Sequence, residues 1–164
     1  MAFWRQMNES DIPGVLRVAD KIHADLPENE FVFRERLNLF PEGCLVFTEN
    51  GEVGGYVISH PVRHGQPSAL NSLLGEVTPD ADQYYIHDLA ILPGFRGRGL
   101  AAECICKLLD IAKRYPTTCL ISVYGTAPFW ARYGFAPTPV DAVMEEKLRG
   151  YGEDATYLSR GNAE

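Results

Sequence analysis

Apolar residues along the chain fall into two spacings, and the switches between them outline the elements. Phe3 to Met7 reads as a short strand. Asn8 or Ser10 then offers a cap for a helix carrying Ile12, Val15, Leu16, Val18 and Ala19 on one side, with Pro13 tolerated in its first turn. Pro27-Glu28-Asn29-Glu30 interrupts, and a second helix is predicted from Phe31 to Phe40. Strands at Cys44 to Thr48 and Val53 to Ser59 flank Glu49-Asn50-Gly51-Glu52, whose Asn-Gly pair is a hairpin signal. From Pro61 to Asp82 the chain turns polar and rich in Pro, Gly and Ser, with an apolar stretch from Leu70 to Leu74 inside it. Connections of that length are often functional.

Gln83 to Ile91, dense in aromatic and β-branched residues, is the next predicted strand. A Gly/Arg-rich turn leads into a helix from Gly99 to Tyr115. Ala101, Cys104, Ile105, Leu108, Ile111 and Ala112 share one face of it, and Glu103, Lys107, Asp110 and Arg114 the other; Pro116 stops it. A buried strand at Thr118 to Val123, a short helix at Phe129 to Tyr133 and a strand near Ala155 to Ser159 complete the pattern. With no repeat or low-complexity linker, residues 1–164 read as one alternating α/β domain.

Composition narrows the class. The chain has 164 residues, 46% hydrophobic and 23% charged, which is the profile of a soluble globular domain. A net charge of −7 argues against nucleic-acid binding, which needs a basic surface, and suits cationic partners such as amines. No apolar run is long enough for a bilayer, and Met1 to Gln6 lacks a signal-peptide layout, so a cytoplasmic location with no membrane partner is expected. Cys44, Cys104, Cys106 and Cys119 lack metal-site spacing and are expected to be reduced, buried thiols, with no metal bound; Cys104 and Cys106 point to different helix faces.

Chemistry concentrates in Tyr84-Tyr85-Ile86-His87-Asp88-Leu89-Ala90-Ile91-Leu92-Pro93-Gly94-Phe95-Arg96-Gly97-Arg98-Gly99-Leu100-Ala101. Glycines before a helix let successive N–H groups converge where unpaired amides and the helix dipole favour an anion. A phosphate or pyrophosphate cradle at Arg96 to Ala101 follows. A nucleoside-triphosphate loop would need Gly-Lys-Ser/Thr, which is absent. Gly97-Arg98-Gly99-Leu100-Ala101-Ala102 gives only GxGxAA of a dinucleotide fingerprint, and it does not open the first βαβ unit.

Arg96-x-x-Gly99-x-Ala101 resembles the Arg/Gln-x-x-Gly-x-Gly/Ala motif of the GNAT superfamily of acyl-CoA N-acyltransferases. Leu89-Ala90-Ile91 and Pro93 precede it as in that family, and Phe129-Trp130-Ala131-Arg132-Tyr133-Gly134-Phe135 is similar to its second signature. The resemblance implies a mixed, mostly antiparallel central sheet, flanked by helices and splayed between two central strands. It implies transfer of an acetyl group from acetyl-CoA to a primary amine. The pantetheine arm would pair with the backbone of Leu89, Ala90 and Ile91. The pyrophosphate would rest on the amides of Arg96, Gly97, Arg98, Gly99, Leu100 and Ala101, with Phe129 and Trp130 beside the thioester.

His87 is the candidate base or proton relay, since an imidazole of pKa about 6.5 suits neutral-pH proton transfer; the alternative is a packed core histidine. Strand alternation would send Asp88 to the opposite face unless a bulge resets the parity. More narrowly, His87-Asp88-Leu89-Ala90 and the Phe129 to Phe135 segment resemble arylalkylamine N-acetyltransferases, which carry two histidines on this strand; Tyr85 replaces the first here. Trp130 stands where the superfamily usually has an acidic tyrosine, with Tyr133 or Tyr124 as replacements; a thiol of pKa about 8.5 can also leave largely as thiolate. The acidic run Asp25 to Glu30 either draws in an amine or is a solvated turn. His60 and His64 are expected on the surface without a role. The expected acceptor is a small amine, with peptide amines open and a homodimer compatible. The alternative, motivated by Trp130, is an acetyl-CoA-binding sensor without turnover.

Overall fold

The computed structural model describes residues Phe3 to Asn162. In chain order these form β1 (Phe3–Gln6), α1 (Ile12–Ile22), α2 (Glu30–Leu39), β2 (Cys44–Glu49), β3 (Glu52–Val62), β4 (Gln83–Ile91), α3 (Leu100–Ala112), β5 (Thr117–Ser122), α4 (Ala127–Ala131), β6 (Ala136–Pro137), α5 (Ala142–Tyr151) and β7 (Thr156–Gly161). Seven strands lie in the order β1-β2-β3-β4-β5-β7-β6. Every neighbouring pair is antiparallel except the parallel β4 and β5. This is the mixed, mostly antiparallel sheet that the resemblance implies.

Local chemistry accounts for the starts and turns. Asn8 and Asp11 make a capping box ahead of α1, and Asp11 also takes two 2.8 Å bonds from Arg5. Asn50 and Gly51 have φ of 54° and 81°, so the β2–β3 hairpin closes through a two-residue turn with both residues left-handed. Asn50→Ala puts a Cβ-bearing residue without a local amide there and is expected to cost about 1 kcal/mol in urea unfolding. Asp141 accepts from Met144 N at 2.8 Å, and Gly152 follows the end of α5. The sequence pattern carries those two signals, although the reading above assigns no helix there.

The sheet buries both faces. Helices α1 and α2 cover one, through Ile12, Val15, Val18, Phe33 and Leu37 against Val46, Tyr56, Ile58 and Ala90. Helices α3 and α4 cover the other, through Leu100, Ile105, Leu108 and Trp130 against Trp4, Phe47, Val57, Ile86 and Leu158. Around α5, Met144 and Tyr151 pack on Tyr85, Cys119 and Tyr157.

Two surface expectations need correction. β3 continues beyond Ser59 to Val62, so His60 is buried with its ring edge-on to Tyr85 at 5.4 Å. Burial pulls its pKa down to about 3, leaving a neutral ring whose Nδ1 donates to Pro61 O at 3.0 Å. His64 is exposed, as expected. Cys106 is exposed, while Cys44, Cys104 and Cys119 are buried; all four are free thiols. Burial pushes Cys44 and Cys119 up to about 12.

Candidate active site

The parallel pairing of β4 with β5 runs only from Gln83 to Ile86, against Thr117 to Leu120. Beyond that the two strands part, and a cavity of about 540 Å³ opens between them. One wall is Leu89, Ala90 and Ile91; the other holds Val123, Tyr124, Thr126, Phe129, Trp130 and Tyr133. Leu92 N–H donates to Gly54 O at 2.9 Å, and Ala90 pairs with Tyr56. Backbone alternation therefore turns the polar groups of Ala90 toward β3 and those of Leu89 and Ile91 into the gap. Arg96 Nε donates to Ile91 O at 3.1 Å, occupying one of them.

At the end of the gap the chain runs through Gly97 and Gly99, with φ of 80° and 77°, into α3. A Cβ at either glycine would meet nothing within 4 Å, so the space above them is open. The first-turn amides of α3 have no acceptor within the helix and point toward this opening. Trp4 Nε1 donates to Leu100 O at 2.9 Å and fixes where the helix begins. Arg96, Gly97, Gly99, Leu100 and Ala101 line the cavity. The Arg98 side chain turns away, bonding Glu49 at 2.6 Å and lying 5.4 Å from the Phe95 ring centroid, so only its backbone can serve the cradle.

On the far wall Trp130 is buried and meets Phe129 edge-on at 5.2 Å and Phe135 at 5.6 Å. Tyr133 is half-buried, tilted against Phe129 at 5.6 Å. Tyr124 adopts a left-handed φ of 59°, unusual for a bulky residue.

The register of β3 against β4 steps from Ile58↔Asp88 to Ser59↔Ile86, leaving His87 as a bulge. The bulge resets the parity, so His87 and Asp88 point to the same face, not to opposite ones as plain alternation would have it. The side chains of His87 and Glu28 are 2% and 4% exposed. His87 Nε2 donates to Glu28 Oε1 at 2.8 Å and Oε2 at 3.0 Å. A carboxylate needs a donor, so Nε2 carries a proton, while Nδ1 lies 3.0 Å from Tyr85 OH. Within the acidic run, Glu28 thus turns inward, while Asp25 and Glu30 stay exposed. A second cavity of about 30 Å³ lies here, between Leu26, Glu28, His87, Asp88 and Tyr151.

A second imidazole–carboxylate pair lies beside the first, and the sequence reading missed it. His23, just past the end of α1, donates from Nε2 to Asp88 Oδ1 at 2.7 Å, and Tyr56 OH donates to Asp88 Oδ2. His23 Nδ1 accepts from Tyr124 OH at 3.1 Å, the rings stacked at 5.7 Å and 16°. Burial alone would lower the His23 pKa most, but the bond and charge of Asp88, with Glu28 behind, outweigh it and hold the ring above 6.5. No spacing rule joins residues 65 positions apart, so nothing in the sequence marks this pair.

Solved structures share this architecture. Ard1 from Thermoplasma volcanium superposes with a TM-score of 0.74 at 18% identity, covering 99% of both chains. The ribosomal-protein-S18-alanine N-acetyltransferase from Escherichia coli gives 0.67 at 18%, covering 100% of this chain and 96% of that one. The N-acetylglutamate synthase from Neisseria gonorrhoeae, solved with coenzyme A and N-acetyl-glutamate, gives 0.75 at 15%; it covers 100% of this chain but only 36% of that one. Identities this low carry the fold alone. No curated protein matches in sequence. The acetyltransferase (GNAT) family model matches residues 8–135, from the cap of α1 to the Gly134-Phe135 end of the second signature. That span exceeds half of the chain and takes in the parted strands, the glycine loop and the aromatic wall, so the chain belongs to the GNAT acetyltransferase family.

Proposed function

We propose that the protein is an N-acetyltransferase that moves the acetyl group of acetyl-CoA to a small primary amine. One observation carries the reading: the gap between β4 and β5 offers backbone groups at Leu89 and Ile91 that no strand pairs, and it ends on the open amides of the Gly97–Gly99 turn. A molecule matching it is long, carries amides along its middle and bears phosphates at one end. The pantetheine arm bonds the strand edge and the pyrophosphate rests on the loop, which puts the thioester beside the His87 bulge and the Phe129–Trp130 wall. The Ile91 carbonyl becomes available when Arg96 swings toward the phosphates.

The acceptor enters from the opposite end, where Glu28 and Asp88 supply negative charge. The small cavity there suits a slender aminomethyl end. Proton management falls to the two imidazole–carboxylate pairs. The absence of a nucleic-acid partner belongs to the same proposal and rests on the acidic net charge of −7.

A second reading, an acetyl-CoA sensor without turnover, is favoured by Trp130, whose indole cannot supply a proton to the departing sulfur. Thiol release from acetyl-CoA, measured against arylalkylamines, polyamines, amino acids and peptides alongside calorimetric binding, separates the two. The expected result is saturable, amine-dependent release. Binding without release for every amine would install the sensor reading, and absence of binding would remove both.

A further inference from the structure

The cleft contains several hydroxyl groups, but Tyr124 is distinguished by being bonded to an imidazole that is itself bonded to a carboxylate. Tyr124 is 48% exposed, while His23 and Asp88 side chains are 14% and 11% exposed. The hydroxyl therefore sits at the mouth of a buried chain that ends on Tyr56, wholly enclosed in the sheet. Its backbone is left-handed at φ 59°, a conformation that costs about 1–3 kcal/mol for a non-glycine residue and marks functional positions. The ring is held by stacking on His23. In the neutral ring, Tyr56 and His23 Nε2 both donate to Asp88, which leaves His23 Nδ1 to accept from Tyr124.

We propose that Tyr124, His23 and Asp88 form a proton-return relay, with Tyr124 as the catalytic residue that exchanges protons with amine and sulfur. The inference rests on the acetyl-transfer reading above and assigns its proton path. The neutral amine adds to the thioester carbonyl and forms the C–N bond, giving a tetrahedral oxyanion with a positively charged nitrogen. That nitrogen passes a proton to Tyr124 Oη as the tyrosine's own proton moves to His23 Nδ1. Asp88 stabilises the imidazolium. Collapse of the intermediate breaks the C–S bond; the sulfur takes a proton from Tyr124, and His23 restores it. The products are amide and thiol, and every relay group ends in its starting state. Asp88 and Tyr56 are positioning residues, fixing the tautomer and orientation of His23.

The groups facing His23 are Asp88 from β4, Tyr124 after β5 and Glu28 from the α1–α2 connection; Asp25 adds negative charge near Tyr124. Acetyl-CoA binding and amine-dependent thiol release, followed across pH in wild type, Tyr124→Phe, His23→Gln, their double variant and Asp88→Asn, test the relay. Tyr124→Phe and His23→Gln are each expected to lower kcat by about a hundredfold, with acetyl-CoA Kd nearly unchanged. The double variant should be about as slow as the slower single one, because the residues act as one unit. Asp88 raises the His23 pKa, so Asp88→Asn should move the acid limb of the rate profile to lower pH. An active wild type with normal kcat in Tyr124→Phe, or singles whose losses multiply in the double variant, overturns the relay and leaves the acetyl-transfer reading standing. A wild type that releases no thiol with any amine overturns that reading, and the relay with it.

Discussion

Glu28→Ala is expected to lower the unfolding free energy by about 3 kcal/mol at neutral pH, the cost of stranding one partner of a buried ionic pair. The effect is large because one side chain joins three segments. Glu28 leaves the α1–α2 connection, accepts from His87 on the β4 bulge, and accepts from Asn71 N at 2.8 Å in the long connection before β4. Its removal leaves a buried imidazole N–H and a backbone amide without their acceptor. The pH dependence has a defined sign. Burial, the largest single influence, pushes the Glu28 carboxyl up, but the charge and bond of His87, the Asn71 amide and Arg36 together bring it below 4.5. A depressed carboxyl stabilises the fold above its unfolded pKa, and that contribution fades as pH falls through the lower folded value. Urea titrations of wild type and Glu28→Gln should therefore converge as the solution is acidified below about 4.5. A gap that stays constant into acid would show that the pair does not carry this stability.

The second large effect is expected from Gly99→Val. Position 99 is left-handed, so any side chain there costs about 1–2 kcal/mol of backbone strain. The new Cβ meets no protein atom within 4 Å, and the side chain extends into the space over the α3 amides. The fold should survive while acetyl-CoA affinity drops by roughly a hundredfold or more, equivalent to losing about 3 kcal/mol of anion contact. Gly51→Val is the matched control. It has a φ of 81° and equally open surroundings, but it sits at the β2–β3 turn. Both variants should lose similar stability, and only Gly99→Val should lose binding. Equal affinity in the two would place the phosphates elsewhere.

Those two cases show which parts of the site were legible in the sequence. The cradle was, because it is built from neighbours: a strand, two glycines with a left-handed requirement and a helix whose first amides are uncapped follow one another along the chain. The hairpin at Asn50-Gly51 was legible for the same reason. The floor was not. Nothing in Tyr84 to Ile91 announces a bulge, since no glycine or proline stands there, and without the bulge Asp88 is assigned to the wrong face. Glu28 meets His87 across 59 positions, so its burial depends on packing that no local pattern encodes. His60 was misplaced through Pro61, which reads as a strand terminator although β3 accommodates it one position before its last residue. The family resemblance supplied the splay of the sheet; the physical cause became visible only when the β4–β5 pairing was seen to stop at Ile86 and Leu120.

The gap between β4 and β5 also bears on the protein's behaviour in the test tube. A strand edge with open hydrogen-bonding groups is a template for any extended chain, and most sheets confine such edges to their rim. Here the edge lies in the middle of the sheet, and among the described residues the Arg96 side chain bonds it at Ile91. The purified, ligand-free protein should be prone to capturing a stray extended segment, including one from another copy, and to forming soluble oligomers as it is concentrated. Coenzyme A would act as a solubility factor as well as a product, competing for the same edge and keeping the sheet closed to neighbours.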